Sequence, residues 1–262
     1  MSPVIDSHCH IHDSEFFAND RESAYQASKD AGVYMICVGT NNQSSQEAID
    51  FCHSHEGCYA VVGIHPHDSK DNDPAMIRRL VAGNQDTVVG IGEIGLDYYY
   101  DHSPRDTQQR VLREQLAVAR EFDLPVSFHV RDAFDDFWPI LDDFPGVTGV
   151  LHSFTDTQAN MDEGIRRGLF IGVNGISTFT KDTAQQELYK HIPLEKIVLE
   201  TDAPFLTPKP FRGKMNIPAY VVEVARHQAM LKGISPEDVI RTTTDNARRL
   251  FKLNHEYRHH TR

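Results

Sequence analysis

Short apolar runs alternate with longer amphipathic stretches from one end of the chain to the other. The apolar runs cover residues 4–6, 33–38, 59–63, 88–92, 125–129, 149–151, 169–173 and 197–200. Most are rich in Val, Ile, Leu and Phe, with little in–out alternation. A strand wetted on one face alternates, whereas a strand buried on both faces does not. The eight runs therefore read as strands of a parallel sheet covered on both sides.

The stretches between them read as helices. The clearest covers 103–122, with Ser103 suited to the N-cap, Pro104 to the first helical position and Asp106 to the positive end of the dipole. Leu112, Leu116 and Ala119 then share one face. A second helix covers 218–232, with Val221, Val224, Ala225 and Leu231 near one face and Gly233 as its stop. A third opens at Ser235-Pro236-Glu237-Asp238, again a cap, a proline and two acids. Strands alternating with helices suggest an α/β fold, either a doubly wound sheet or a (β/α)8 TIM barrel. Eight strands in 262 residues favour the barrel, as a single domain over residues 1–253. Residues 254–262 form a polar tail expected to fray. No GxGxxG follows the first strand, which argues against dinucleotide binding.

Composition adds two facts. Lys and Arg total 26 against 38 Asp and Glu, a formal net charge of −12, and the chain carries 15 His against 14 Phe. The charge argues against coating of a duplex, whose phosphates would be repelled, but allows a local basic groove or metal site. Histidine is a common metal ligand and acid–base group, so the excess needs a destination. No apolar run reaches the roughly 18 residues of a membrane span. The start, Met1-Ser2-Pro3-Val4-Ile5-Asp6, does not read as a signal peptide. Four Cys (Cys9, Cys37, Cys52, Cys58) are too few for a disulfide scaffold, so a reduced cytoplasmic setting is expected.

The histidines and acids fall at strand ends. His8 and His10 follow the first strand, His65 the third and Glu93 the fourth; His129 ends the fifth, His152 the sixth, and Asp202 follows the eighth. In a barrel all C-terminal strand ends meet at one mouth, where active sites sit. His8 and His10, two apart on an extended segment, point to one side and can chelate one ion. Cys9 between them points away and reads as packing. Glu93 offers two oxygens and can bridge two ions, His129 and His152 supply imidazoles for a second, and Asp202 can bind an ion while touching its water. Arg131, two residues after His129, leans the same way. The loop 207–216 carries Lys209, Arg212 and Lys214 where barrels often bind phosphate. Cys52-His53-Ser54-His55-Glu56-Gly57-Cys58 mimics a zinc module, but its spacing is irregular and it lies away from the mouth; it reads as surface helix and turn.

Together these segments resemble the TatD family of metal-dependent hydrolases, often described as deoxyribonucleases. The matching pieces are Asp6-Ser7-His8-Cys9-His10, Gly63-Ile64-His65-Pro66-His67, Gly92 to Tyr100, Pro125-Val126, His129 with Arg131-Asp132, His152-Ser153-Phe154, Glu200 to Pro204, Arg212-Gly213-Lys214 with Asn216, and Thr243 to Asn246, in the family's order. The resemblance implies an amidohydrolase-like barrel. It implies one ion held by His8, His10 and Asp202, a second by His129 and His152, and Glu93 between them. His65, Arg131, Arg212 and Lys214 would contact a substrate phosphate. Ser153, Asp156, Phe211 and Ile217 depart from the common family pattern, near the mouth but at no implied ligand.

The expected activity is two-metal hydrolysis of a phosphodiester, most simply at DNA ends, with Asp202 and Glu93 as the catalytic carboxylates. Two divalent ions per subunit are expected, from Zn, Mn, Mg, Co or Ni. The imidazoles favour the transition metals over Mg. The same centre would also suit an amide or ester, for example an aminoacyl ester on RNA, since fold and metal do not choose the bond. A third reading is a metal-stabilised nucleic-acid-binding module without turnover. A monomer that does not touch membranes is expected.

Overall fold

A computed structural model describes residues 3–253; the tail at 254–262 lies outside the described residues. The strands are β1 (Val4–Cys9), β2 (Val33–Val38), β3 (Cys58–Val62), β4 (Val88–Asp97), β5 (Val126–Arg131), β6 (Gly149–Leu151), β7 (Phe170–Val173) and β8 (Ile197–Leu199). The helices are α1 (Ser14–Phe17), α2 (Arg21–Asp30), α3 (Asn42–Ser54), α4 (Pro74–Gly83), α5 (Arg105–Glu121), α6 (Phe134–Asp142), α7 (Gln158–Arg166), α8 (Ile176–Phe179), α9 (Thr183–His191), α10 (Val221–Lys232) and α11 (Pro236–Leu250). The strands form one parallel sheet in chain order, β1 to β8. The seam is bridged beyond β8: Asp202 N donates to His8 O at 2.8 Å and His10 N to Ala203 O at 2.8 Å. The result is a nearly closed (β/α)8 barrel.

Alternation along the strands divides the core in two. Val4, Met35, Cys37, Ala60 and Val62 join the large cluster under the helices. Their neighbours Ile5, Ile36, Val38 and Val61 join Val150 and Val198 in a second cluster, completed by Leu250 and Phe251 at the end of α11. That cluster fills the barrel at the end away from the mouth. The mouth, lacking such apolar filling, is left to the polar groups.

Two of the apolar runs extend three or more residues further than expected, and both extensions carry site residues; β5 also runs on, to Arg131. β1 continues to Cys9 and β4 to Asp97, so His8 and Glu93 lie within strands rather than after them. In each, the ladder slips by one residue, between Asp6 and Cys9 in β1 and between Ile91 and Ile94 in β4. Such bulges re-aim the side chain at the slip. Glycine makes the second one possible. Gly92 has φ 155°, and a Cβ there would lie 2.8 Å from Ser127 O.

Ser103 does not cap α5, which starts at Arg105. Its hydroxyl instead donates to His67 O (2.7 Å) and accepts from Lys70 N (3.2 Å), tying the β3 loop to the β4 loop. Residues 218–220 form a 3-10 turn before α10 rather than its first turn. Gly233 ends α10 at φ 65° and Ser235 caps α11, both as expected. The Cys52–Cys58 segment spans the end of α3 and the start of β3, away from the mouth. His53 is exposed, but both cysteines are buried. The segment therefore contributes to the core as well as to the surface.

Candidate metal centre

The mouth gathers His8, His10, His65, Glu93, His129, His152 and Asp202, from β1 and the residue after it, the segment after β3, β4, β5 and the segments after β6 and β8. Their donor atoms form three groups, each with all its atoms within 4.8 Å of one another: His8, His10 and Asp202; His8, Glu93 and His152; and His65, Glu93 and His129. Glu93 is at the junction. Its Oε2 lies 3.4 Å from His8 Nε2, and its Oε1 lies 2.9 Å from His129 Nδ1, 3.6 Å from His65 Nε2 and 3.8 Å from His152 Nε2. Asp202 Oδ1 lies 3.4 Å from His10 Nε2 and 3.8 Å from both His8 Nε2 and His152 Nε2. Asp202 holds φ 58°, a left-handed conformation that Asp tolerates better than most side chains.

The imidazoles are oriented from behind. His8 Nδ1 faces Ser127 Oγ at 3.2 Å, His10 Nδ1 faces Val38 O at 2.7 Å, and His152 Nδ1 lies 3.0 Å from Glu200 Oε1. All three thus turn Nε2 inward. The rings of His8 and His152 stack at 3.5 Å. His8 Nε2 is buried without a hydrogen-bond partner, which would be costly in a dry core. An orphaned nitrogen among two carboxylates and further imidazoles fits a divalent cation, and the donor set suits a transition ion.

The electrostatics agree with this. Burial pushes Glu93 and Asp202 upward, but the surrounding imidazoles outweigh it and hold both carboxyls below their ordinary values. Burial lowers His129 and His152, but carboxylates outweigh it. Asp97 and Glu93 lift His129 to about 9, and Glu200, Glu93 and Asp202 lift His152 to about 10. Burial and the charge of His129 hold His65 well below its usual range.

Two supporting carboxylates were not anticipated as site residues. Asp97 is fully buried, and its Oδ2 accepts from His129 Nε2 and His67 Nε2, both at 2.9 Å. His129 engages Glu93 with Nδ1 and Asp97 with Nε2; His65 and His152 approach the same Glu93 oxygen from its other sides. Glu200 supports His152 and accepts from Ser153 N at 2.6 Å. Gly172 makes room for it: a Cβ there would overlap the Glu200 carboxylate. The signal for both was an acid at a strand end, a position shared with ordinary helix caps. Among the other histidines, His12 is a buried, neutral core residue beside Ser44 Oγ (3.1 Å), pushed well down by burial. His55 pairs with Glu22 at 3.2 Å, far from the mouth.

The anticipated cations stand at the rim. Arg131, Lys209, Arg212 and Lys214 are exposed, and none lies in an ion pair among the described residues. Arg131 lies over the rings of Tyr99 and Tyr100, at 4.0 and 4.9 Å. Arg212 lies 3.9 Å over Phe179 and donates to Thr207 O at 2.8 Å.

The eight-stranded α/β barrel with histidines and carboxylates gathered at its mouth has an amidohydrolase-like fold. A family model described as TatD related DNase matches residues 5–252, and the chain belongs to the TatD family. It is 36% identical to the uncharacterized metal-dependent hydrolase YabD of Bacillus subtilis, over 96% of this chain and 100% of that one. It is 37% identical to the 3'-5' ssDNA/RNA exonuclease TatD of Salmonella typhimurium, over 92% of this chain and 96% of that one. The crystal structure of YjjV, a TatD homologue from Escherichia coli, superposes with TM-score 0.88 at 28% identity, covering 96% of this chain and 98% of that one. This chain is a metal-dependent hydrolase of that family. No helix among the described residues is long and apolar enough to cross a membrane.

Proposed function

We propose that the protein hydrolyses phosphodiester bonds of DNA, working at strand ends with two divalent ions at the barrel mouth. The observation that carries this reading is Glu93, whose two oxygens face different sets of imidazoles. A carboxylate so placed would be able to serve two ions. His8, His10 and Asp202 would hold one; His129, His152 and Glu93 the other, with His65 beside them. When bound, divalent ions polarise a phosphoryl oxygen and lower the pKa of a water from 15.7 towards about 7.

The chain's own groups do the rest. Asp202, held ionised by the imidazoles around it, takes the proton of the attacking water. Ser127, Val38 O and Glu200 keep three imidazoles with Nε2 inward, so no reorganisation is needed at the moment of reaction. The unpaired Arg131, Arg212 and Lys214 offset the charge of the bound phosphates, and His65 reaches the phosphate from the β3 side. The setting we propose is the cytoplasm.

The test is a substrate panel with ions added: single-stranded DNA, RNA, and small amide and ester substrates. Metal-dependent shortening of DNA is expected. Asp202→Asn should lower kcat by about 10²–10⁴-fold with little change in KM. Turnover of an amide or aminoacyl ester with none of any phosphodiester would overturn the assignment. Binding of DNA without turnover, unaltered by Asp202→Asn, would make the protein a binding module.

A further inference from the structure

Six large apolar side chains are exposed among the described residues, and four of them, Phe16, Tyr99, Tyr100 and Phe205, stand on the segments that follow β1, β4 and β8. Exposed apolar surface gathered at one place marks a site of interaction. The two tyrosines are already engaged. Arg131 lies over both, and the ring of His102 stacks on Tyr100. Phe16 and Phe205 differ. They meet edge to face at 5.0 Å, remain 50% and 45% exposed, and no cation lies over either ring among the described residues.

Both phenyl groups stand on fixed backbone. Phe205 N donates to Asp202 O at 2.8 Å, and Phe205 O accepts from Asn216 Nδ2 at 2.6 Å. Phe16 N donates to the Asp13 carboxylate that caps α1, at 3.0 Å. The pair adjoins the centre, with the Phe205 ring 6.4 Å from that of His10. The loop that carries Phe205 runs on to the unpaired Arg212 and Lys214. A rigid aromatic face beside a phosphate-directed centre, with cations alongside, matches the chemistry of an unpaired nucleobase: a flat ring joined to an anionic backbone.

We infer that Phe16 and Phe205 form a stacking platform for the base next to the scissile phosphate. Through it the protein holds the base as well as the phosphate of a nucleic-acid strand. The inference rests on the nucleic-acid reading of the centre. Because stacking reads the ring face and not its edge, the platform tolerates any base.

The experiment compares a short single-stranded oligonucleotide with the same strand made abasic at one or the other terminus. Binding is read by fluorescence anisotropy and cleavage as kcat and KM. The wild-type protein should lose about tenfold or more in affinity and in kcat/KM on removal of the base, mostly in KM. In Phe16→Ala/Phe205→Ala the same removal should cost less than about threefold. Phe205→Tyr should keep the wild-type penalty, and Phe205→Leu, apolar but without a face, should lose it. Both rings are exposed, so the melting temperature should hold in every variant. An equal base penalty in the wild type and the double alanine variant overturns the platform while leaving the nuclease reading standing. Failure of the wild type to bind or cut any oligonucleotide overturns both.

Discussion

Asp97→Asn should weaken ion binding at the centre without disturbing the fold. Asparagine matches the shape of aspartate, and its Oδ1 can still accept the amides of Tyr99 and Tyr100, which lie at 3.1 and 3.0 Å. The other oxygen is the one that matters. Oδ2 accepts from His129 Nε2 and His67 Nε2, each at 2.9 Å, and an amide nitrogen in its place accepts from neither. His129 must then carry its proton on Nδ1, the nitrogen that faces Glu93 at 2.9 Å. That proton competes with an ion for the lone pair. Loss of such a supporting carboxylate typically costs about 10–100-fold in ion affinity, or about 1.4–2.7 kcal/mol. The assay is competition for Zn or Mn against a chromophoric chelator, alongside activity as a function of ion concentration. The activity curve should shift to higher ion by about 10–100-fold and recover most of its plateau. Unshifted ion affinity in Asp97→Asn would refute the reasoning.

The ion-free protein should lose stability as the pH rises. His129 and His152 have folded-state values raised to about 9 and about 10, above their ordinary 6.5, so their contribution is complete below about 6.5 and lost through the upper values. Melts in chelator should show Tm falling over that range, and added Zn, which requires neutral rings, should remove the fall; a flat ion-free profile contradicts this. Gly95→Ala should be severely destabilising, by about 4 kcal/mol or more, or about 8 °C in Tm, because the added Cβ would overlap His129 O and the residue holds φ 155°. A Tm within a few degrees of wild type would show that β4 and β5 can part without cost. Arg131→Ala and Lys214→Ala should each raise KM for single-stranded DNA and flatten the salt dependence of binding by about 0.7 in the log–log slope. An unchanged slope would place these cations outside the phosphate path.

The strands were legible because a strand buried on both faces must be apolar throughout, and eight such runs have few other arrangements. The donors were legible because His8, His10, Glu93, His129, His152 and Asp202 fall at strand ends, and a barrel brings those ends together. Ser103 shows where local rules stop. Its chain position suits a cap, yet its hydroxyl found His67 O across the mouth. Asp97 and Glu200 could equally have been caps or surface acids. Only the packing of β4 on β5, and of β7 on β8, turns them towards imidazoles.

The sequence by itself thus determined the barrel, its family and which side chains gather at the mouth, because these depend on residue type and on periodicity along the chain. The tertiary structure alone decided which nitrogen each imidazole presents, which carboxylate stands behind it, and that two phenyl rings remain open beside the centre. Those are facts of distance between segments up to about 200 residues apart in the chain, with Asp6 and Thr201 joined at 2.8 Å as the plainest case. Hydrogen bonds and packing act over a few ångströms of space, and a linear order of residues does not contain that information until the barrel closes.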